Sequence, residues 1–211
     1  MGKYSLSKKQ VIHKTLEEVF NFFQKPENLS VITPKNMGFN ILTPKPIKMG
    51  KGTVIDYTIK LFRIPVHWRT LITEYYPPHK FVDVQIKGPF ILWHHTHIFR
   101  EMENGVEITD QVQYMMPFGI LGRILHSMCI RKKLNHIFNF RKEVIEKLLD
   151  PNITPAKFAQ LDAQLDATGT VEQQALATLA FALTYADNDE KAARTILQKA
   201  LAALPKISKA L

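Results

Sequence analysis

The sequence predicts an α+β fold in which an antiparallel sheet is wrapped around one long C-terminal helix, with a small all-α appendage after it. Three observations carry this prediction. Between residues 39 and 115, short segments of alternating apolar and polar residues follow one another with turn residues between them. From Ile120 to Leu149 the apolar spacing becomes helical, and no proline interrupts it. Alanine is absent from residues 1–150, whereas 15 alanines occur in residues 151–211.

The change in composition at Pro151 divides the chain into two predicted domains, residues 1–150 and residues 151–211. All eight histidines and the single cysteine precede Pro151. There are 22 lysines and arginines against 13 aspartates and glutamates before it, and six against six after it. Function is therefore expected in the first domain. The second is an alanine-rich helical extension whose last helix weakly resembles half of a tetratricopeptide repeat.

Bulk features exclude several functional classes. The net charge of +9 is spread along the chain without a zinc-finger, RNP-like or helix-turn-helix pattern, so no nucleic-acid partner is expected. The N-terminus lacks the apolar core of a signal peptide, and no apolar run approaches the ~20 residues of a membrane span, so a cytoplasmic location is expected. P-loop, dinucleotide-binding and G-x-S-x-G motifs are absent, and no cofactor is expected.

The segment before the meander contains a strand and a helix. Alternation over residues 10–15 predicts the strand, and a helix is predicted to follow over residues 16–23. Thr15 is the expected N-cap, with Glu18 at the capping-box position. Pro26 and Pro34 then restrict the chain to a short helical or irregular passage. The apolar face of the predicted helix consists of Leu16, Val19, Phe20 and Phe23.

Six strands are predicted in the meander, over residues 39–42, 53–62, 67–75, 81–87, 90–100 and 106–115. Glu103-Asn104-Gly105 supplies a hairpin signal between the last two. The long helix that follows carries an apolar stripe, and the space between this stripe and the sheet is the expected place for a ligand. The stripe consists of Ile124, Met128, Leu134, Ile137, Phe138, Val144, Ile145 and Leu148.

Residues 93–99 are the most concentrated polar and aromatic stretch. On a strand, His95 and His97 share one face, and pairing of the apolar faces across the hairpin puts His97 opposite Asp110. Two histidines and a carboxylate could bind a metal ion. A half-buried polar network explains the same residues and is the preferred interpretation, so no metal is predicted. The remaining pairs in this register are Phe99 with Ile108, His95 with Val112 and Trp93 with Tyr114.

The turn at Gly88-Pro89 leaves two alternatives for the strand before it. A two-residue loop puts Val82 and Val84 on the face of His95, whereas a three-residue loop puts Asp83 opposite His95. Hydrophobic patterning favours the first alternative.

Two features around the start of the long helix are also open to interpretation. The apolar segment 115–121 is expected to form the buried corner between strand and helix; gating of a cavity or transient membrane contact is the alternative. Cys129 is expected to be a small buried hydrophobic side chain and not a nucleophile.

A series of short motifs runs in order through residues 15–149. They are Glu18-Val19-Phe20, Asn28-Leu29, Ile32-Thr33-Pro34, Phe39-x-Ile41-Leu42-Thr43-Pro44, Gly52-Thr53-x-Ile55-Asp56-Tyr57, Trp68-x-Thr70-x-Ile72, Pro77-Pro78-x-x-Phe81, Gly88-Pro89, Trp93-x-His95-Thr96-His97-x-Phe99 and Pro117-Phe118-Gly119. In this order they resemble the SRPBCC superfamily, the START-like or helix-grip group of ligand-binding and polyketide-cyclase-type proteins. The resemblance implies a hydrophobic cavity between the sheet and the long helix. It implies no particular ligand, because this superfamily contains lipid carriers, sterol binders, cyclases and hydrolases.

Three functions are therefore considered. The leading hypothesis is a non-enzymatic binder or carrier of a lipid, quinone or polyketide-like molecule. The second is an aromatase/cyclase-like enzyme in which His95 or His97 acts as general acid–base, activated by Asp110. The third is a protein-interaction module that binds a partner, or self-associates, through residues 151–211. For the binder, the expected apolar and aromatic wall is Tyr57, Trp68, Trp93 and Tyr114, and the expected polar groups are His95, His97 and Asp110.

Overall fold

The computed structural model describes residues 2–61 and 64–149, without the side chain of Ile64. Its strands are β1 (Lys3–Ile12), β2 (Asn40–Ile41), β3 (Val54–Leu61), β4 (Ile64–Tyr76), β5 (Lys80–Lys87), β6 (Leu92–Met102) and β7 (Gly105–Met115). Its helices are α1 (Leu16–Phe23), α2 (Gly119–Leu125) and α3 (Arg131–Leu148), with two 3₁₀ turns at Pro26–Ser30 and Lys35–Met37 and a π-helical turn at His126–Ile130. The predictions made for residues 151–211 lie outside the described residues.

The described strands form one seven-stranded antiparallel sheet in the order β1-β7-β6-β5-β4-β3-β2. The helices pack on one side of it, which we call the inner face. Trp93 and Val112 on this face belong to one buried cluster with Leu134 and Phe138 of α3. A second cluster joins α1 to β5, β6 and β7. An antiparallel sheet wrapped on a long C-terminal helix is the predicted fold class, which is confirmed.

Helix α1 begins as its sequence predicts. The hydroxyl of Thr15 accepts a hydrogen bond from the backbone N–H of Glu18, and the Glu18 carboxylate accepts one from the backbone N–H of Thr15. This reciprocal capping box satisfies two backbone donors that a helix N-terminus otherwise leaves unpaired. The buried side chains of the helix are the four predicted from its spacing, namely Leu16, Val19, Phe20 and Phe23.

Strand β1 is longer than predicted. It begins at Lys3 and pairs with β7 over ten residues, down to Ile12 opposite Val106. The polar run Ser7-Lys8-Lys9-Gln10 hides the alternation in the sequence, because both faces of this stretch carry polar side chains. The strand therefore forms by backbone pairing with β7 in a stretch whose side-chain pattern does not predict a strand.

The long helix is continuous from Gly119 to Leu148 but contains the π-helical turn. A π turn inserts an extra residue and rotates the apolar stripe relative to a regular α-helix. The predicted stripe therefore fails at its start: Met128 is 38% exposed, while His126 and Cys129 are buried. From Leu134 onward the side chains of the predicted stripe are buried or half-buried. None of the helices in the described ranges has the length and hydropathy needed to cross a membrane.

Strands β6 and β7 pair in the predicted register, with His97 opposite Asp110 and His95 opposite Val112. The two-residue loop between them is Glu103-Asn104, one position before the Asn-Gly pair that signalled it. Gly105 adopts a φ of 137°, and a Cβ at this position would collide with the backbone carbonyl of Ile12. Glycine is therefore needed here because the end of β1 approaches the turn closely.

Candidate functional site

A cavity lies between the inner face of the sheet, α3 and the segment from α1 to the first 3₁₀ turn. The cavity has a volume of about 160 Å³, counted as the space that the centre of a water molecule can reach. A single water needs only about 10–15 Å³ by this measure, so the cavity admits a molecule of many atoms. Most of its wall is aliphatic or aromatic, including Ile59, Trp68, Phe90, Trp93, Leu134 and Phe138.

Most of the side chains predicted to form the site lie in the cavity wall. Tyr57, Trp68, Trp93, His95 and His97 all line it. Trp68 and Trp93 meet edge to face with ring centroids 5.3 Å apart, and Tyr57 stacks on Trp68 with centroids 6.0 Å apart. Alternation on β3, β4 and β6 brings these rings together, because every second residue faces inward.

The other two predicted site residues, Tyr114 and Asp110, lie elsewhere. Neither is among the residues that line the cavity. Tyr114 lies beneath the π-helical turn, where its hydroxyl and His126 Nε2 are hydrogen-bonded at 2.8 Å. Tyr4 stacks on the same imidazole at 3.5 Å between centroids. Asp110 contacts His95 and His97 from the neighbouring strand β7.

Strand β5 corrects the preferred alternative for the Gly88-Pro89 turn. Asp83 lies opposite His95 on the inner face, whereas Val82 lies opposite Thr96 and faces the other side of the sheet. The connection spans residues 88–91, and the Gln85 side chain holds it by donating to the Phe90 carbonyl at 2.6 Å. Hydrophobic patterning fails here because the inner face accommodates a carboxylate that two histidines contact.

Four side chains of β5, β6 and β7 form a compact group, which we call the quartet: His95, His97 and Asp110, which are buried, and Asp83, which is partly buried. On one side, Asp83 Oδ2 lies 3.4 Å from His95 Nδ1 and 2.9 Å from His97 Nε2. On the other side, Asp110 Oδ1 lies 3.1 Å from His95 Nε2 and 2.8 Å from His97 Nδ1. The two imidazoles are thus held between two carboxylates, with ring centroids 3.8 Å apart.

The contacts within the quartet differ in quality. His95 Nε2 to Asp110 and His97 Nε2 to Asp83 are hydrogen bonds. His97 Nδ1 is close to Asp110 but at an angle unsuited to a hydrogen bond, so this buried nitrogen has no hydrogen-bond partner among the described residues. A buried polar atom of this kind requires an explanation.

Burial and ion pairing shift the pKa values of the quartet in opposite directions. Desolvation alone would raise the pKa of Asp110, but the two histidines hold it well below its usual range. The pKa of Asp83 is lowered in the same way. Desolvation lowers the pKa of both imidazoles, and the carboxylates reverse this only for His97, whose pKa is raised. The pKa of His95 is lowered because the neighbouring His97 adds to the effect of burial.

Further polar groups of the wall belong to Trp68, a predicted site residue, and to Arg141, Lys133 and Thr70, which the sequence analysis did not single out as site residues. The indole Nε1 of Trp68 and Nε of Arg141 are buried without a hydrogen-bond partner among the described residues. Desolvation lowers the pKa of Lys133. Arg141 follows Phe138 by three positions, so helical spacing could have placed it on the cavity side. For Thr70, which is buried near Tyr57, alternation with Trp68 was the available signal.

Cys129 is buried, as the sequence predicts, and its thiol donates to the Leu125 carbonyl at 3.1 Å. Burial raises the pKa of Cys129 to about 11. A thiol in this state is a poor nucleophile near neutral pH, because it is the thiolate that reacts.

No family model and no curated protein matches this sequence. Several solved structures are similar in fold. Protein CV1439 from Chromobacterium violaceum superposes with a TM-score of 0.56 and 12% identity, over 71% of this chain and 99% of that one. Ginseng major latex-like protein 151 from Panax ginseng gives 0.54 and 13%, over 71% and 99%. Protein Ms6760 from Mycobacterium smegmatis gives 0.52 and 13%, over 69% and 90%. At these identities the likeness shows the fold alone: the chain has the helix-grip α+β fold of these structures.

Proposed function

We propose that the protein binds one small apolar or amphipathic molecule in the cavity. The observation that carries the proposal is a wall made mostly of aromatic and aliphatic side chains, in which the polar groups of Asp83, His95 and His97 lie together. Ligand sites in proteins commonly have this composition. A lipid, a quinone or a polyketide-like compound would fit it, with its apolar body against Trp68 and Trp93.

The free energy of binding would come mainly from the apolar wall. Burial of apolar ligand surface contributes about 25 cal/mol per Å². Side chains around an unfilled space also lack dispersion contacts that a ligand would restore. The polar end of the ligand would lie toward His95, His97 and Asp83, where polar groups can fix its orientation.

Filling the cavity tests this proposal directly. Ile137 lines the cavity on α3, so Ile137→Trp would occupy ligand space. Binding of the neutral apolar dye Nile red is measured by fluorescence titration, and this variant is expected to lose affinity at least about tenfold, roughly 1.4 kcal/mol. Ile86→Trp is the matched control, because Ile86 is 53% exposed and outside the cavity wall. Equal affinity of both variants and the wild type would contradict the proposal.

Native mass spectrometry of the purified full chain gives an independent measurement. A binder is expected to release a stoichiometric apolar compound, and Trp93→Ala is expected to reduce the amount retained. Far-UV circular dichroism of each variant shows whether the fold is kept.

The quartet favours a second candidate, a cyclase-like enzyme. A buried imidazole between two carboxylates is suited to move a proton. In an intramolecular aldol reaction, His95 or His97 would take a proton from a carbon next to a carbonyl. That carbon would form a bond to a second carbonyl of the same chain, whose oxygen would accept the proton. The reaction needs no oxidant or reductant.

A short synthetic β-polyketone distinguishes the two candidates. An enzyme is expected to convert it to a ring product, detected by chromatography, and His97→Ala or Asp110→Ala should abolish conversion while Nile red still binds. If the wild type binds the dye but leaves the polyketone unchanged, the binder hypothesis is favoured.

A further inference from the structure

We propose that Asp83, His95 and His97 form a binding site for one divalent transition-metal ion such as Zn²⁺, with Asp110 as the carboxylate that orients both imidazoles. This inference is separate from the binding of an apolar molecule and concerns only the quartet. It reassigns the role of Asp110, which the sequence suggested as a third ligand beside the two histidines.

The arrangement of nitrogen atoms is the first argument. His95 presents Nδ1 and His97 presents Nε2 to the same oxygen of Asp83. These three atoms lie within 4.8 Å of one another. Zinc binds nitrogen and oxygen at about 2.0–2.2 Å in tetrahedral geometry, which places neighbouring ligand atoms roughly 3.3 to 3.6 Å apart. The separation of Asp83 Oδ2 from His95 Nδ1, 3.4 Å, lies in this range, and its separation from His97 Nε2, 2.9 Å, is shorter and would widen slightly around an ion.

The second argument is the position of Asp110. A histidine that binds a metal through one nitrogen usually donates its other N–H to a carboxylate or carbonyl. Asp110 Oδ1 lies 3.1 Å from Nε2 of His95 and 2.8 Å from Nδ1 of His97, the two nitrogens that do not face Asp83. A single carboxylate thus contacts both remaining nitrogens. A small rotation of the His97 ring toward a metal ion could also improve the poor angle of its Nδ1.

The third argument is access. Asp83, His95 and His97 all line the cavity, whereas Asp110 does not. A metal ion held by the first three would therefore have its remaining coordination positions on the cavity side. Two histidines and one carboxylate with open positions is a ligand set that transition metals use in catalytic sites.

The charges are also compatible with a divalent cation. When a metal ion is bound, both imidazoles are neutral and the two carboxylates carry two negative charges, which one M²⁺ neutralises. A buried charge is costly unless it is paired or coordinates a metal. Arg141, which also lines the cavity, would favour an anionic group in an open coordination position.

The test uses the full chain, freed of metal by dialysis against a chelator and titrated with ZnCl₂ in a calorimeter. One ion per chain is expected, with perturbation of the His95 and His97 ring resonances in NMR spectra. Asp83→Asn is expected to weaken zinc binding at least about tenfold, and loss of the orienting carboxylate in Asp110→Asn about 10–100-fold. His67→Asn is the control, because His67 pairs with Asp56 outside the quartet.

Two results would overturn the metal site. One is a wild-type titration in which the His95 and His97 resonances stay unchanged, whether or not other histidines respond. The other is equal zinc affinity of wild type and Asp83→Asn. Since the first result is read on the wild type, misfolding of a variant cannot hide it. Nile red binding measured on the same metal-free sample reports separately on the proposed binding of an apolar molecule.

Discussion

Two groups of aspartate and histidine lie on opposite faces of the same sheet and have very different surroundings. On the inner face, the quartet is buried between the strands and α3. On the outer face, Asp56 of β3 contacts His67 at 2.7 Å and Arg69 at 2.8 Å, both from β4. The side chain of Asp110 is 10% exposed, whereas that of Arg69 is 46% exposed.

Ion pairs with similar distances therefore contribute differently to the free energy of unfolding on the two faces. Exposed ion pairs contribute about 0–1 kcal/mol, because water already solvates the charges. Burying the same groups carries a large desolvation cost, which pairing offsets only when the geometry is good. An apolar replacement would avoid that cost, so four such groups beside a cavity are weak evidence for a stabilising role and are compatible with the roles proposed for them above.

The largest expected loss of stability is that caused by removing a carboxylate from the quartet. Asp110→Asn leaves two imidazoles and Asp83 buried without one carboxylate, and is expected to lower the free energy of unfolding by about 3–5 kcal/mol. Denaturant titration of the metal-free protein measures this. A loss below about 1 kcal/mol would show that the inner group behaves like an exposed ion pair.

Apolar side chains should show the same contrast between faces. Ile108 on the inner face is 1% exposed, and Ile86 on the outer face is 53% exposed. Ile108→Ala is expected to cost about 2–5 kcal/mol, because it removes buried methyl groups and leaves a cavity. Ile86→Ala should change stability by less than about 0.5 kcal/mol. Similar losses at both positions would contradict the assignment of the inner face.

The group on the outer face, Asp56 with His67 and Arg69, should contribute little to stability, and this contribution should depend on pH. Hydrogen bonding to Arg69 lowers the pKa of Asp56 despite partial desolvation, and His67 adds to this. Its contribution is therefore present above the unfolded pKa, about 3.9, and is lost as the pH falls through the lower folded value. Asp56→Asn is expected to cost about 0.2–1 kcal/mol at pH 7 and progressively less below pH 4. An unchanged difference at pH 2 would argue against this pair.

The smallest expected effect is alkylation of Cys129, which should not react in the folded protein. With a pKa of about 11, its thiol should remain unmodified by iodoacetamide at pH 8 in the folded protein and react only after denaturation. The measurement is mass spectrometry after timed alkylation. Rapid modification of the native protein would mean that the helix opens at the π turn.

Local rules predicted much of this fold correctly. The capping box at Thr15 and Glu18 and the β6–β7 register both depend on neighbours in sequence or across one tight hairpin. The same rules misplaced Met128, because a π turn is a choice of backbone hydrogen bonding that the apolar spacing does not record. They also missed most of β1, because its pairing with β7 joins the first and the last strand of the described residues, which are distant in sequence.

The sequence by itself determined that residues 1–150 differ in composition from residues 151–211, that an antiparallel sheet precedes a long helix, and that His95, His97 and Asp110 share a face. The tertiary structure alone decided that Asp83 joins them, since its orientation depends on how the 88–91 loop closes. It also placed Tyr114 and Asp110 outside the cavity wall. Periodicity specifies which way a side chain points within one strand, but the side chains that it meets depend on register and on the path of the helix above the sheet.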